Sequence, residues 1–310
     1  MKKNFHGSKN NNILNITLIN VKKNFKIATL NKIIFVILVG FPVLGGLIYA
    51  FLYSIGVFGI LNNSVNFDAW IAVLTDIYFF KSLAFSLYVG IVSVTLSSVI
   101  SFLLAYYWKK EFKGGILSTI IYLPLCFPAT VMAFFVFQML SQSGFVSRIA
   151  YYLKLTTAIS SFPEIINDAF GIGIITTMIA LVTPFFIILF TTVYQSEKVD
   201  ELTALATTLG ATRKQIINKI VIPVLFKKTA VTLVLFVIFV MGNYEVPLLL
   251  GRQNPRMISV AIVQKIQRFN LYDIPKGYVM SIVYVFFLLL TLGIVVLKNP
   301  NFFKTTQSND

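Results

Sequence analysis

QSEKVDELTALATTLGATRKQIINKIVIPVLFKK, residues Gln195–Lys228, lies between two long apolar runs and decides how the rest of the chain is read. Leu202, Leu205, Ala206 and Leu209 recur at i, i+3, i+4 and i+7, which predicts a short amphipathic helix. Gly210 follows and can take the positive φ that ends it. Thr212 with Gln215 three residues on is a capping-box signal for a second helix. Ile216, Ile217, Ile220 and Val221 then form one apolar face, and Pro223 is expected to close or kink this helix. A helix–Gly–helix between two membrane spans, with apolar faces and no obvious partner in its own chain, is expected to be a docking element.

Outside this loop the chain is strongly apolar. Its 310 residues are 57% hydrophobic, with mean hydropathy +0.83 and only 12% charged residues, the balance of a polytopic membrane protein. The net charge of +15 is spread between apolar runs, so it is read as topology-setting charge and not as a nucleic-acid surface. One Cys (Cys126) excludes an intrachain disulfide and gives no zinc pattern. One His (His6) excludes a His-based catalytic centre in the core, and no G-x4-G-K-[ST] occurs, so no P-loop ATPase site is present. No cofactor is implied.

Six apolar runs approach the ~20 residues that cross a bilayer: about Lys32–Ser54, Lys81–Trp108, Gly115–Leu140, Phe170–Tyr194, Lys228–Leu249 and Tyr278–Leu297. The N-terminal segment, the 109–114 turn, the 195–228 loop and the C-terminal tail hold 7, 3, 6 and 2 Lys or Arg, against 8 in the alternate segments. The positive-inside rule then places both termini and the 195–228 loop in the cytoplasm. The expected organisation is a basic tail (1–31), a six-span domain (32–297) and a short tail (298–310). Residues 10–27 are read either as lying on the inner leaflet or as a disordered tail. In loop 141–169, Phe145, Ile149 and Leu153 are spaced for a surface helix. The apolar stretch of loop 250–277 is expected to lie across or dip into the outer interface.

Polar residues in the apolar runs are the candidates for function. Glu245, in MGNYEVPLLLG (241–251), is the only acidic residue inside an expected span, and a carboxylate at membrane depth is costly. Gly242, Asn243 and Pro247 point to broken helix, which is tolerated where it lines a cavity or is buried in protein. Three readings stay open: a polar pathway, a pairing with Arg252 or another loop cation, or a protonated buried acid. Pro124, Pro128 and Pro184 are expected to kink their spans. Ser82, Ser86, Gly90, Ser93, Ser97, Ser98 and Ser101 are expected to let helices approach closely. Tyr244, Tyr88, Phe134 and Phe137 either pack or stack on an organic cation.

Two of these stretches carry a resemblance. The 195–228 loop resembles the EAA-x3-G-x9-I-x-L-P coupling loop of the permease subunits of binding-protein-dependent (type I, MetI-like) ABC importers. Gly210, Ile220 and Pro223 match, while E-A-A falls on Ala204, Leu205 and Ala206, leaving Glu201 one helical turn early. Gly242, Asn243, Tyr244, Pro247, Leu249, Leu250 and Gly251 are similar to the G-[DN]-aromatic-x-x-P-x-L-L-G stretch of the spermidine/putrescine-type permeases. Asn243 stands where many of those carry Asp. YLPLCFPATV (122–131) resembles their proline-bearing third span, and the likeness covers roughly residues 65–297.

The resemblance implies an all-α permease with six transmembrane helices and no enzymatic chemistry of its own. Partner ABC ATPase subunits would grip Glu201, Leu202, Leu205, Ala206, Leu209, Gly210, Ile216, Ile217, Ile220 and Pro223. A second permease subunit and an extracytoplasmic solute-binding protein would complete the system in the bilayer. Pro128, Asn243, Tyr244, Glu245 and Pro247 would lie along the path. The implied cargo is polyamine-type, with iron, thiamine or sulfate as alternatives. An ion-coupled secondary transporter is a rival reading, which would want more intramembrane charge and an inverted repeat. A membrane enzyme would need a clustered polar site.

Overall fold

In the computed structural model, residues 32–59, 64–108, 116–267 and 270–298 are described, and among them no strand occurs. Among the described residues, six helical stretches are long and apolar enough to cross a membrane: Lys32–Ser54, Ile77–Tyr107, Ala129–Tyr152 (two helices joined at a corner), Ile172–Ser196, Arg213–Gly242 and Leu271–Lys298. The tails, and with them the expectation for residues 10–27, lie outside the described residues.

The first long helix, α1 (Lys32–Ser54), is scarcely covered by the rest of the chain. It joins the body at its C-terminal end. There the Trp70 indole donates to Ser54 Oγ at 3.0 Å, and Tyr53 packs against Tyr278 with ring centroids 4.7 Å apart. Trp70 belongs to α2 (Asp68–Leu74), a short helix before α3 (Ile77–Tyr107). Asp76 caps α3 by accepting from Tyr78 N at 2.8 Å.

The core is built on α3, which packs along α7 (Ile172–Ser196) and α10 (Ile222–Gly242). The small residues of α3 make this possible. Ser82, Ser86, Ser93, Ser97, Ser98 and Ser101 are all buried. A Cβ on Gly90 would stand 3.1 Å from Met241 Cγ and 3.2 Å from the Val237 carbonyl, so glycine sets the approach of α3 to α10. Large side chains fill what the serines leave: Phe186 and Phe190 of α7 are fully buried, their ring centroids 4.9 Å from Phe236 and 5.5 Å from Phe226 of α10 respectively. Ser101 Oγ also donates to the Thr183 carbonyl at 2.9 Å, next to Pro184 inside α7.

Two expectations need correcting. The third span is not one kinked helix. It runs as α4 (Ile116–Tyr122), a 3-10 turn at Leu123–Cys126, an extended Phe127–Pro128 and α5 (Ala129–Leu140). Two prolines four residues apart remove two backbone donors and their rings oppose the preceding carbonyls, so the helix stops instead of bending.

Pro223 does not close the second loop helix either. The helix α9 (Arg213–Ile216) passes through a π turn, Ile217–Val221, straight into α10. The wider π turn removes the clash between the proline ring and the carbonyl four residues back. The coupling segment and the fifth span are therefore one continuous helix.

The apolar stretch of loop 250–277 folds as α12 (Ile258–Ile266), packed on α3 and α13 (Ile274–Lys298). Ile258, Val260, Ala261 and Ile262 are buried, and Ile258 N donates to Ser86 Oγ at 2.7 Å. Beside it Asp273, 7% exposed, accepts ion pairs from Lys276 at 3.1 Å and Lys265 at 3.3 Å, joining α12 to α13.

Candidate functional site

The residues singled out in the sequence fall at two places, at opposite ends of the continuous helix Arg213–Gly242. The first is the loop that follows α7. Lys198 takes φ 48° and turns the chain into α8 (Val199–Thr208). Val199 is fully buried, the Tyr194 hydroxyl donates to Asp200 Oδ1 at 3.1 Å, and Lys228 pairs with Glu197 at 2.9 Å. These contacts fix the start of α8 on the ends of α7 and α10. The rest of α8 presents Leu202, Leu205 and Leu209 outward, 42%, 64% and 82% exposed, with Ala206 half-buried beneath them. Glu201 is exposed and pairs with Lys198 at 3.6 Å.

Gly210, at φ 81°, ends α8 as expected. Its N–H donates to the Thr207 carbonyl and that of Ala211 to the Ala206 carbonyl, both at 3.0 Å, which is the paired bonding of a Schellman turn. The capping box is also present: Gln215 Oε1 accepts from Thr212 N at 2.9 Å while Thr212 Oγ1 accepts from Gln215 N at 3.4 Å.

The second helix is not free, however. Ile216 (8% exposed) and Val221 (fully buried) belong to the same core cluster as Phe190 and Tyr194, with Ile217 packed against it. Ile220 is half-buried, and Pro223 is exposed. An apolar face was visible in the sequence, but not the fact that its partner is the body of the same chain.

The second place is the break after α10. Backbone extends at Asn243 and a short helix α11 (Glu245–Leu250) follows. Asn243 Oδ1 accepts from Val246 N at 3.1 Å, and the Asn243 carbonyl accepts from Ser259 Oγ at 2.6 Å, so both of its polar ends hold the break together. Val246 and Pro247 are buried, Tyr244 is half-buried, and Glu245 is exposed. The Glu245 carboxylate accepts a hydrogen bond from Thr130 Oγ1 on α5 instead of pairing with Arg252. Pro128, at the start of α5, lies two residues from Thr130. At the far end of α11, a Cβ on Gly251 would fall 2.4 Å from the Pro247 carbonyl, so the exit turn admits only glycine.

Asn243, Glu245 and Pro247 thus share the break, which Thr130 joins to α5 just after Pro128, whereas Tyr88, Phe134 and Phe137 are 41%, 53% and 38% exposed on the surface. Thr130 and Ser259 were not legible beforehand. Thr130 is 115 residues from Glu245 in sequence, and no local pattern marks either residue as its partner.

The model of the family described as binding-protein-dependent transport system inner membrane component matches residues 97–303, about two thirds of the chain, including both places. The chain belongs to this family. It is therefore a multi-pass inner-membrane permease that serves a binding-protein-dependent transport system. The other parts of such a system are the binding protein, the ATPase subunits and a second permease subunit.

No curated protein matches the permease in sequence. Among solved structures it is similar to a bacterial ABC transporter involved in the import of the acidic polysaccharide alginate. The TM-score is 0.66 at 18% identity, over 91% of this permease and 98% of that chain. A bacterial alginate ABC transporter in complex with alginate pentasaccharide-bound periplasmic protein gives a TM-score of 0.64 at 19% identity, over 89% and 96%. The likeness extends over nearly the whole of both chains, and the fold is that of ABC importer permeases.

Proposed function

We propose that this permease passes a small amine-bearing, polyamine-type solute from a binding protein to the cytoplasm, driven by ATPase subunits docked on α8. The observation that carries the docking is the outward leucine row. Leu202, Leu205 and Leu209 are large, apolar and uncovered, while the second helix of the 195–228 segment is held by its own chain. Family membership supplies an ATPase as the partner such a surface fits. In this reading Gly210 fixes the angle at which α8 leaves the continuous helix, and Ile216, Ile217 and Ile220 act by holding that helix to the body, not by touching the ATPase.

The path runs past the break at Asn243–Glu245. Glu245 supports a cationic cargo because it is the one carboxylate in that stretch and is exposed, with a neutral hydroxyl as its partner. Asn243 is occupied in holding the break and contributes no charge to recognition. The chain itself performs no chemistry; hydrolysis belongs to the partner.

The test is ATP hydrolysis by the co-purified complex in nanodiscs, with and without candidate binding proteins and ligands. Hydrolysis that rises with a polyamine-loaded binding protein is the expected result. A rise with an iron-, thiamine- or sulfate-loaded protein would overturn the cargo while keeping the docking. Purification without any ATPase, together with solute uptake down an ion gradient, would overturn both.

A further inference from the structure

Ser141–Gly144 make a four-residue corner between α5 and α6 (Phe145–Tyr152). The corner is tight: a Cβ on Gly144 would lie 2.7 Å from the Gln138 carbonyl and 2.8 Å from that of Met139. It is also internally bonded, with Gly144 N donating to the Ser141 carbonyl at 2.8 Å and Ser147 Oγ to the Gly144 carbonyl at 2.9 Å. The direction in which α6 leaves α5 is therefore fixed by backbone contacts.

The side of α6 that faces the protein is small, with Ser147 and Ala150 buried. The opposite side is large and apolar. Phe145, Ile149 and Tyr152 are 57%, 42% and 85% exposed, and Leu153 and Leu155 just beyond are 59% and 75% exposed. At ~100° per residue, Phe145, Ile149, Tyr152 and Leu153 lie within about 100° of arc. This is the reverse of a helix on a soluble surface, where the apolar stripe turns inward.

Two cations accompany the stripe. Arg148 donates through Nε to the Ser143 carbonyl at 3.3 Å, and no carboxylate among the described residues pairs with Arg148 or with Lys154. The segment is continuous with a lipid-facing surface, because Val131, Phe134 and Phe135 of α5 are 48%, 53% and 54% exposed.

We propose that α6 lies in the plane of the bilayer at the end opposite the 195–228 loop, its apolar side sunk among acyl chains. Arg148 and Lys154 meet the phosphates of anionic lipid. The parts match the requirements of an interfacial helix: a broad apolar face with aromatics, basic residues at its edge and end, and a short connection to a spanning segment. The anchor would hold the tip of the broken third span at a set depth, which neither the core contacts of α5 nor its helix break does. It stands whatever the cargo.

The chain has one cysteine, so site-directed spin labelling tests this directly. Cys126→Ser with Tyr152→Cys would be labelled in the full-length permease, in nanodiscs of phosphatidylcholine with phosphatidylglycerol. Phe135→Cys serves as a lipid-exposed reference and Gln253→Cys as a water-exposed one. Oxygen should reach the label at 152 several-fold more readily than a polar nickel chelate, as at 135, and Ile149→Cys should behave alike. Removing phosphatidylglycerol should move the label toward water, and Arg148→Gln with Lys154→Gln should abolish that lipid dependence. A label at 152 as open to the chelate as that at 253 would overturn the proposal. So would a label shielded from both reagents, which would mean that a protein partner covers the helix.

Discussion

The docking surface proposed on α8 makes a prediction in which stability and coupling separate. A Leu side chain gains about 2 kcal/mol when moved from water to full burial. In this chain Leu205 and Leu209 are 64% and 82% exposed, so about 1.3 and 1.6 kcal/mol remain to be gained when a partner covers them. Truncating both to Ala should therefore cost the permease itself little and its ATPase complex about 3 kcal/mol. That is about 150-fold in affinity if the two sites add, and about 30-fold if neighbouring leucines share their partner contacts.

Ile216 provides the control. It belongs to the same loop and apolar class but is 8% exposed, so Ile216→Ala leaves a cavity and should destabilise the permease by about 2–4 kcal/mol. The assay is titration of nanodisc-held permease with its ATPase, beside thermal denaturation of each variant alone. The expected pattern is weak ATPase binding with an unchanged midpoint for Leu205→Ala/Leu209→Ala, and a lowered midpoint for Ile216→Ala. If the double variant melts early and binds normally, the leucines are structural and the docking argument fails.

Three further outcomes follow from the same geometry. A side chain at Gly210 would meet nothing within 4 Å of its Cβ, but the residue sits at φ 81°, so Gly210→Asp meets only backbone strain of about 1–2 kcal/mol; it should uncouple transport while leaving membrane insertion intact, and unchanged uptake would refute the role of the turn. Thr130→Val removes the hydroxyl that Glu245 accepts from, a loss of about 1–2 kcal/mol; together with Glu245→Gln it should lower uptake in cells without lowering ATPase binding, and normal uptake in both would remove Glu245 from the path. Asp273→Asn leaves Lys265 and Lys276 facing each other at a 7%-exposed position; it should lower the melting midpoint by weakening the α12–α13 joint, by about 1–2 kcal/mol for half-exposed partners, and an unchanged midpoint would refute that.

What the sequence made legible was whatever rests on short-range physics. The capping box at Thr212 and Gln215 and the left-handed Gly210 depend on neighbours within four residues, and both are present as expected. The break before Glu245 was likewise written in Gly242, Asn243 and Pro247. The misreading of the second loop helix as free has a clear cause. Periodicity shows that Ile216 and Val221 form a face, and that α12 has one, but not which other segment lies against it. Thr130 had no signal at all, since its role comes only from α5 meeting α11. Pro223 does not close the helix for a different reason: that expectation assumes α geometry, and the π turn ahead of it meets the restriction without ending the helix.

The continuity that this turn preserves bears on how the two places are coupled. From Arg213 to Gly242 the helix has 30 residues, or about 45 Å of rise. One end starts at the Schellman turn of α8, and the other stops at the break carrying Glu245. Had Pro223 ended the helix, a displacement of α8 would have been absorbed in a flexible joint. Instead the segment that continues from α8 is buried through Ile216, Val221 and Leu225 and runs without interruption to Val240 and Met241. A continuous helix of this kind can carry a tilt at the loop to the break, where the Thr130–Glu245 side-chain bond ties α11 to α5. If an ATPase docks on α8 as proposed, that bond is the contact at which its movement should first be felt, and Thr130→Val should weaken the response of the break without touching the loop.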